Sequence, residues 1–292
     1  MASEPDGSDP WNMLQCCCRV RGDRDEEGQP FGTTFIFDSS SGLKKGDDHD
    51  GMLVEKAEMK LESGATYKGQ WKNGVCHGHG ILTRPDGSWY EGEFEGGRAH
   101  GHGKFSVTSG DVYEGQWMQD RAHGHGKYIH DDGSTYEGNW NQDEKCGRGL
   151  ECFADGSQYQ GDFLNGNKHG KGAYMSSNGE TVYDGQFNND RLEGTGTYHF
   201  TDGRKFVGQF QVGQMDGEGI MSWPDSSMYK GSFSKDLRHG IGTLTWPDGR
   251  LYRGHWNKGK QDGAGVMISA HGVESEGRWS HGTQMMQNGG EK

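Results

Sequence analysis

The stretch from Tyr90 to Gly103 reads YEGEFEGGRAHGHG, and variants of it recur along the chain. Its first five residues place an aromatic residue, a glycine and a second aromatic residue at alternate positions. The opening aromatic residue recurs every 23 residues from position 67 to position 159, moves by one inserted residue to 183, and then recurs every 23 residues to 252. A period between about 20 and 50 residues is typical of solenoids and repeat arrays. The sequence therefore predicts a repeat fold.

Three positions of the repeat keep their chemistry in nine copies. The opening aromatic residues are Tyr67, Tyr90, Tyr113, Tyr136, Tyr159, Tyr183, Phe206, Tyr229 and Tyr252. The glycines two positions later are Gly69, Gly92, Gly115, Gly138, Gly161, Gly185, Gly208, Gly231 and Gly254. The aromatic residues two positions further on are Trp71, Phe94, Trp117, Trp140, Phe163, Phe187, Phe210, Phe233 and Trp256. Because side chains alternate along a strand, all three positions share one face, and we predict that they form a structural spine.

Each copy also carries the signals of a β-hairpin. We expect a second strand after a Gly-x-Gly pair such as Gly101 and Gly103, with a bulky residue such as Phe105 two positions later. Asp-Gly pairs such as Asp86-Gly87 are turn residues. We expect the glycines on the aromatic face to leave slots in which rings lie flat. The predicted fold class is all-β: a repeat solenoid with a single-layer twisted antiparallel sheet of about ten 23-residue hairpins, shaped as an elongated ribbon.

Composition supports a thin structure and excludes several functional classes. Glycine supplies 53 of 292 residues and the hydrophobic class only 29%, which excludes a thick core, whereas 11% aromatic residues argue against disorder throughout. The net charge of −13 argues against nucleic acid as a partner. No stretch approaches the roughly 18 apolar residues of a membrane-spanning helix. Six cysteines, three of them adjacent, do not suggest a disulfide framework, so we expect a reducing, cytoplasmic environment.

The N-terminal segment differs from the repeats. We divide the chain into residues 1–52, a largely disordered acidic segment, residues 53–288, the repeat array, and residues 289–292, a tail. The first segment has 11 acidic and 5 basic residues. It contains Cys16, Cys17 and Cys18 close to three arginines, a pattern that fits S-acylation near an anionic membrane surface. The alternative is an incidental run of cysteines, and the neighbouring acidic residues oppose membrane attraction.

The repeat resembles the MORN (membrane occupation and recognition nexus) repeat. The resemblance rests on the Tyr90–Phe94 motif, Gly97, the His-Gly-His-Gly run from His100 and the Asp-Gly turn, and it covers about four-fifths of the chain. It implies a twisted antiparallel sheet that serves as a scaffold or interaction surface, often in cilia, flagella, the cell cortex or membrane-apposed cytoskeleton. The chain departs from the family pattern at two serines. Ser226 replaces a turn glycine, and Ser275 replaces the opening aromatic residue of a tenth copy, which we interpret as a cap.

Two other motifs in the repeats resemble binding sites for a metal ion and for a phosphate group. His-Gly-His triplets beginning at His77, His100 and His123 suggest a metal ladder, but equivalent residues in successive hairpins lie about 9–10 Å apart. That is too far for ligands that approach zinc at about 2.0–2.1 Å. Residues 254–260 match the spacing of a phosphate-binding loop up to its lysine, but Gln261 stands where Ser or Thr should follow. We therefore predict no metal, no cofactor and no enzymatic activity.

Three functional hypotheses remain from the sequence. The first is a non-catalytic scaffold that links protein partners in cytoskeletal, ciliary or axonemal assemblies. The second is an S-acylated membrane-associated adaptor, anchored through the three N-terminal cysteines. The third, implied by the family resemblance alone, is a regulatory subunit of a lipid kinase or another enzyme. Open strand edges at the sheet ends also suggest homo-oligomerisation.

Overall fold

The computed structural model describes residues 51–285, which form 21 strands and no helix. They divide into two compact units, an N-terminal unit that ends at Asn167 and a C-terminal unit that begins at Lys168. Within each unit, strands that follow one another in sequence pair in antiparallel fashion. The predicted all-β fold of antiparallel hairpins is confirmed.

The strands alternate between a short and a long form. Those of the N-terminal unit are β1 (Val54–Lys60), β2 (Thr66–Lys72), β3 (Val75–Thr83), β4 (Trp89–Glu95), β5 (Arg98–Ser106), β6 (Val112–Met118), β7 (Arg121–Ile129), β8 (Thr135–Asn141), β9 (Glu144–Cys152) and β10 (Gln158–Leu164). Those of the C-terminal unit are β11 (Asn167–Met175), β12 (Thr181–Asn188), β13 (Arg191–His199), β14 (Lys205–Gln211), β15 (Gln214–Ser222), β16 (Met228–Ser234), β17 (Leu237–Thr245), β18 (Leu251–Asn257), β19 (Lys260–Ile268), β20 (Glu274–Ser280) and β21 (Thr283–Gln284). The first residue of β11, Asn167, is the last residue of the N-terminal unit.

Two kinds of turn connect the strands. A two-residue turn, such as Gln119-Asp120 with φ of 50° and 69°, joins the short strand to the long strand of one repeat. Positive φ at both residues is the type I′ geometry that matches strand twist. The Asp-Gly sequences form the other turn, between repeats: Gly87 N–H donates to the Arg84 carbonyl at 3.0 Å, and Gly87 has φ +88°. Ser226 occupies that glycine position with φ 72°.

The Gly-x-Gly pairs lie inside the long strands, not before them as the sequence analysis expected. Gly115 pairs with Gly126 and Trp117 pairs with Ala122, so residues 123–125 of β7 face the single residue Gln116. This β-bulge needs a left-handed residue, and Gly124 supplies it with φ +63°. The first glycine of each pair is thus a bulge residue, and the second belongs to the aromatic face.

Aromatic residues form the core of both units. The nine opening aromatic residues are at most 1% exposed, and the nine that follow them are at most 8% exposed. Their rings meet edge to face: the Tyr113 centroid lies 5.0 Å from that of Trp117 in its own repeat and 5.3 Å from that of Trp140 in the next. Such pairs add about 0.5–1.5 kcal/mol beyond area burial. Core contacts therefore run along each unit from repeat to repeat.

The glycines on this face make room for the rings. A Cβ added to Gly126 would clash with Oη, Cζ and Cε2 of Tyr113. A Cβ added to Gly115 would clash with the Gly126 Cα and lie 2.7 Å from the His125 carbonyl and 2.8 Å from the Tyr113 hydroxyl. The tyrosine ring therefore lies over a pair of glycines, one from each strand of the hairpin.

Replacing Gly115 by valine is expected to lower the free energy of unfolding by about 3 kcal/mol or more, because neither the backbone nor the ring can make room for the side chain. Chemical denaturation of the full chain measures this loss. The matched control is Glu114→Val, one position away on the exposed face, which should change stability by less than about 0.5 kcal/mol. Equal tolerance of the two substitutions would contradict the role given to the glycine pair.

Val212 is the first residue of a two-residue turn and has φ 52°, a strained conformation for a β-branched residue. Val212→Asn is expected to stabilise the protein by about 1 kcal/mol, because asparagine tolerates left-handed backbone. The reciprocal control is Asn189→Val at the same turn position, φ 47°, which should destabilise by a similar amount. If the melting temperatures of both variants changed in the same direction, strain at the left-handed valine would not be the cause.

Candidate interaction surface

Side chains satisfy backbone groups that the bulges release from the ladder. In the third repeat, the Tyr113 hydroxyl donates to the Gln116 carbonyl at 2.9 Å, and the Gln116 Oε1 accepts the His125 N–H at 2.7 Å. All eight opening tyrosines donate the same bond to the residue three positions on. Sequence reasoning missed the role of the Gln or Glu three positions after the anchor, although its recurrence was visible in the repeat.

A hydrogen-bonded clamp joins each turn to the preceding repeat. The Asp120 N–H donates to the Ala99 carbonyl at 3.0 Å, and the Asp120 Oδ1 accepts the Ala99 N–H at 2.7 Å. Asp143, Asp190 and Asp236 accept the equivalent N–H from the repeat that precedes each of them. Where the turn carries glycine, as at Gly97, the backbone N–H still donates to the previous repeat. These carboxylates therefore belong to the frame of the repeat.

Burial raises the pKa of Asp120 to about 6, even though the Ala99 N–H, Arg98 and Arg84 each lower it. Burial likewise raises the pKa of Asp143. An acid whose pKa is higher in the folded than in the unfolded state stabilises the fold most at low pH. The contribution of Asp120 is thus complete below about pH 4 and is lost as the pH rises through about 6.

Asp120→Asn is expected to remove this pH dependence, because the amide oxygen can still accept the Ala99 N–H but carries no charge. The free energy of unfolding of wild type minus that of the variant should fall by up to about 3 kcal/mol between pH 4 and pH 7. Urea denaturation at a series of pH values measures this difference. The control Asp86→Asn should change the profile in the opposite direction, because hydrogen bonds from Ser88 lower the pKa of Asp86. A difference that does not vary with pH would refute the assignment to Asp120.

The first histidine of each triplet lies in a column that contacts the next turn. The His77 Nδ1 accepts the Gly96 N–H at 3.3 Å, and in the same column Glu193 accepts the Val212 N–H at 3.0 Å and Asp216 accepts the Lys235 N–H at 3.2 Å. The column requires a hydrogen-bond acceptor more than it requires histidine, which explains why its residue type changes. Within residues 51–285, no three His, Cys, Asp or Glu side chains are grouped so that they could hold a metal ion.

Glu151 stands where most repeats place a bulky apolar side chain, and a charged neighbour on the same strand explains it. The Lys145 Nζ lies 2.7 Å from the Glu151 Oε1, and both side chains are 13% exposed. The ammonium group also lies 5.0 Å from the centroid of the Tyr136 ring. A charge pair thus replaces an apolar contact in this repeat, and both partners are held by the core.

The outer face, which we define as the face opposite the spine aromatics, is charged in the N-terminal unit. Glu91, Lys104, Glu114, Lys127 and Glu137 are successive cross-strand neighbours on β4 to β8. Lys104 lies 3.6 Å from Glu114, and Lys127 lies 3.5 Å from Glu137. Acidic and basic side chains alternate along this row, so they neutralise one another.

The outer face of the C-terminal unit is different. Its equivalent row contains Val207, Ile220, Lys230, Thr243, Arg253 and Val266. Val207 is 44% exposed, and Ile241 in the adjacent row is 64% exposed. A shallow depression of about 280 Å³ lies beside Ile241 and is lined by Ile241, Arg253, His255, Ala264, Val266 and Glu276, with glycines at its base. We call Lys230, Ile241, Arg253, Val266 and Arg278 the C-terminal patch.

The cysteines and the phosphate-loop match from the sequence analysis do not contribute to a binding site in residues 51–285. Cys16, Cys17 and Cys18 lie outside the described residues. Cys76 is buried, which raises the pKa of its thiol to about 12. The phosphate-loop match from Gly254 to Lys260 covers the end of strand β18 and the turn into β19, and so forms no phosphate-binding loop. Among residues 51–285 there is no helix with the length and apolar character to span a membrane.

Nine consecutive copies of the MORN repeat model match the chain. They cover residues 67–89, 90–112, 113–135, 136–158, 159–181, 183–203, 206–228, 229–249 and 252–272. No curated protein matches the chain.

Several solved structures are similar at low TM-score. The TCP10 domain of Danio rerio CPAP, in complex with a peptide of Danio rerio STIL, is 15% identical, with a TM-score of 0.24, over 78% of this chain and 100% of that one. The SAS-4 (dCPAP) TCP domain of Drosophila melanogaster, in complex with a proline-rich motif of Ana2 (dSTIL), is 12% identical, with a TM-score of 0.26, over 60% and 83% of the two chains. TM-scores this low carry no argument about function.

Proposed function

Since the chain belongs to the MORN repeat family, we propose that it is a non-catalytic scaffold that binds protein partners through its outer face and links them in cytoskeletal or ciliary assemblies of the cytoplasm. MORN repeats are generally protein-interaction and membrane-binding modules. They occur in membrane-associated and cytoskeletal proteins. The proposal selects the protein-binding role and assigns it to one face.

The observation that carries the proposal is a difference between the two faces of each repeat: one face forms the aromatic core, and the other is exposed. The aromatic face, the turns and the bulges repeat the same contacts from copy to copy, because each ring, hydroxyl and clamp supports the fold. The outer row has no such constraint and differs between units, from alternating charges at Lys104 and Glu114 to apolar and basic residues at Val207 and Arg253. Exposed residues that vary on a constant frame are the usual basis of recognition in repeat proteins.

The absence of catalysis is part of the same proposal. Asp120 and Asp143, the aspartates whose pKa values burial raises, accept backbone hydrogen bonds between repeats and so have a structural role. Burial raises the pKa of the thiols of Cys76 and Cys146, which makes both poor nucleophiles. Among residues 51–285, the raised pKa values of these aspartates and thiols follow from their burial in the repeat fold.

Detergent extraction of cells that express the tagged full chain tests the scaffold proposal. Wild type is expected in the insoluble cytoskeletal or axonemal fraction. Two sets of outer-face substitutions, one for each unit, should be compared with it: Lys104→Ser, Glu114→Ser and Lys127→Ser; and Lys230→Ser, Ile241→Ser and Arg253→Ser. At least one set should reduce the retained fraction by about twofold or more, because binding energy is concentrated in few contacts.

A matched control places the same number of serines at exposed turn positions, namely Asp131, Lys235 and Lys258. The control should be retained like wild type, and all variants should keep melting temperatures within about 2 °C of it. A soluble wild-type protein, or equal effects of the outer-face and turn sets, would count against the scaffold role.

A membrane adaptor is the second candidate, and Cys16, Cys17 and Cys18 are the observation that favours it. Two or more acyl chains anchor a protein stably, whereas one gives only marginal binding. Acyl-exchange labelling and membrane fractionation should compare wild type with the Cys16→Ser, Cys17→Ser and Cys18→Ser triple variant. Thioester-linked lipid with membrane association lost in the variant would support the adaptor; an unmodified wild type would remove it.

A further inference from the structure

We infer that the C-terminal patch is a docking site for an extended peptide segment of a partner protein that carries two acidic residues three positions apart, followed by an apolar residue. The inference rests on the proposed function and names the chemistry of one partner. It follows from three features of strands β16 to β20: unneutralised cations, an apolar depression, and the spacing between them.

Within residues 51–285, none of the three cations of the patch forms an ion pair. Lys230, Arg253 and Arg278 are all exposed. In the part of the chain that the structure describes, no carboxylate oxygen lies within the 4.0 Å ion-pair distance of any of the three. Lys104 and Lys127, in the equivalent row of the N-terminal unit, each have a glutamate across the strand. The patch therefore retains positive charge on a chain whose net charge is −13.

The apolar side chains of the patch surround the depression on the same face. Ile241 is 64% exposed, the largest exposed fraction for an apolar side chain on these strands. Val266 pairs directly with Arg253 across β18 and β19, and Ile241 pairs with His255 across β17 and β18. The His255 Nδ1 donates to the Ala264 carbonyl at 3.0 Å, which holds the imidazole against the wall of the depression. A single apolar side chain of a ligand fits a depression of about 280 Å³.

The spacing of the cations selects an extended ligand that crosses the strands. Lys230 pairs with Thr243, and Thr243 pairs with Arg253, so the two cations are two strands apart on one row. Two strand spacings amount to about 9.6 Å. Three residues of a polyproline II segment advance about 9.3 Å, so its side chains at i and i+3 reach successive cations. The next strand places Val266 beside Arg253, on the side away from Lys230, so an apolar ligand residue that follows the second acidic one would lie there.

The patch favours a peptide over a densely anionic surface. Glu276 pairs with Val266 and lines the far side of the depression, where it would repel a uniform layer of negative headgroups. A peptide can place its acidic residues at Lys230 and Arg253 and keep them away from Glu276. Attraction between opposite charges, combined with repulsion between like charges, commonly fixes the position of a ligand on a protein surface.

Fluorescence polarisation with the full chain tests the inference. The probe is a labelled Glu-Pro-Pro-Glu-Leu-Pro peptide, which has two glutamates three positions apart and an apolar residue after the second. It should bind more tightly than a peptide of the same composition with the glutamates clustered at one end, and its affinity should fall as salt screens the exposed charges. The double variant Lys230→Glu and Arg253→Glu should weaken binding by about tenfold, because two attractive contacts become repulsive.

Lys68→Glu is the matched control, because Lys68 occupies the same exposed repeat position as Lys230 and Arg253 but lies in the N-terminal unit. It should leave the affinity within about twofold of wild type. Ile241→Asp should weaken binding without changing the melting temperature. Equal binding of the clustered peptide, an equal loss with Lys68→Glu, or no binding to the full chain would overturn the inference.

Two competing occupants are distinguished by the same variants. Vesicles with anionic lipid that compete for the patch while the peptide does not bind would replace the peptide by a membrane and overturn the inference. Cross-links from the acidic N-terminal segment to the patch of its own chain, lost in Lys230→Glu with Arg253→Glu, would do the same. Failure of peptide binding with cytoskeletal retention intact would refute the docking site alone and leave the scaffold proposal standing.

Discussion

The contact on which the rest of this structure depends is a tyrosine ring lying over two glycines of one hairpin. In the third repeat, Tyr113 covers Gly115 and Gly126, and its hydroxyl reaches the carbonyl of Gln116. The ring can approach the backbone this closely because neither glycine has a side chain. Since the same ring meets Trp117 and Trp140 edge to face, one contact fixes the strand pairing within a repeat and the packing against the next. A sheet without a second layer can thereby bury its large side chains almost completely.

The bulge is the necessary counterpart of that contact. Residues 123–125 face the single residue Gln116, so a carbonyl and an N–H leave the ladder. Both would be costly if they were left unsatisfied. The Tyr113 hydroxyl satisfies the first and the Gln116 side chain satisfies the second. The repeat thus uses its aromatic residue twice, as core and as hydrogen-bond donor, which explains why eight of the nine opening positions are tyrosine.

The contacts that hold the repeats together do not use the outer face, so the residues of that face are available to bind partners. Contacts such as the one between Asp120 and Ala99 join repeats through the backbone and leave the outer face unused. That face then alternates charge along Glu114 and Lys127 in one unit, and presents Ile241 and Arg253 in the other. Because each row position can change without disturbing the core, different partners could be accommodated on one frame.

The sequence by itself determined the period, the aromatic face and the antiparallel hairpins, because spacing of 23 residues and alternation of side chains are local properties of the chain. It also identified Ser226 as a departure from the turn pattern, and the structure shows that serine in a left-handed conformation. The tertiary structure alone decided where the Gly-x-Gly pairs lie, why Glu151 is accommodated, and which cations are neutralised. Lys145 pairs with Glu151 on the same strand, on the other side of the bulge in β9, and Glu114 neutralises Lys104 across a strand pair. These outcomes depend on residues brought together by strand register and by the bulges, which the spacing of a single column does not reveal.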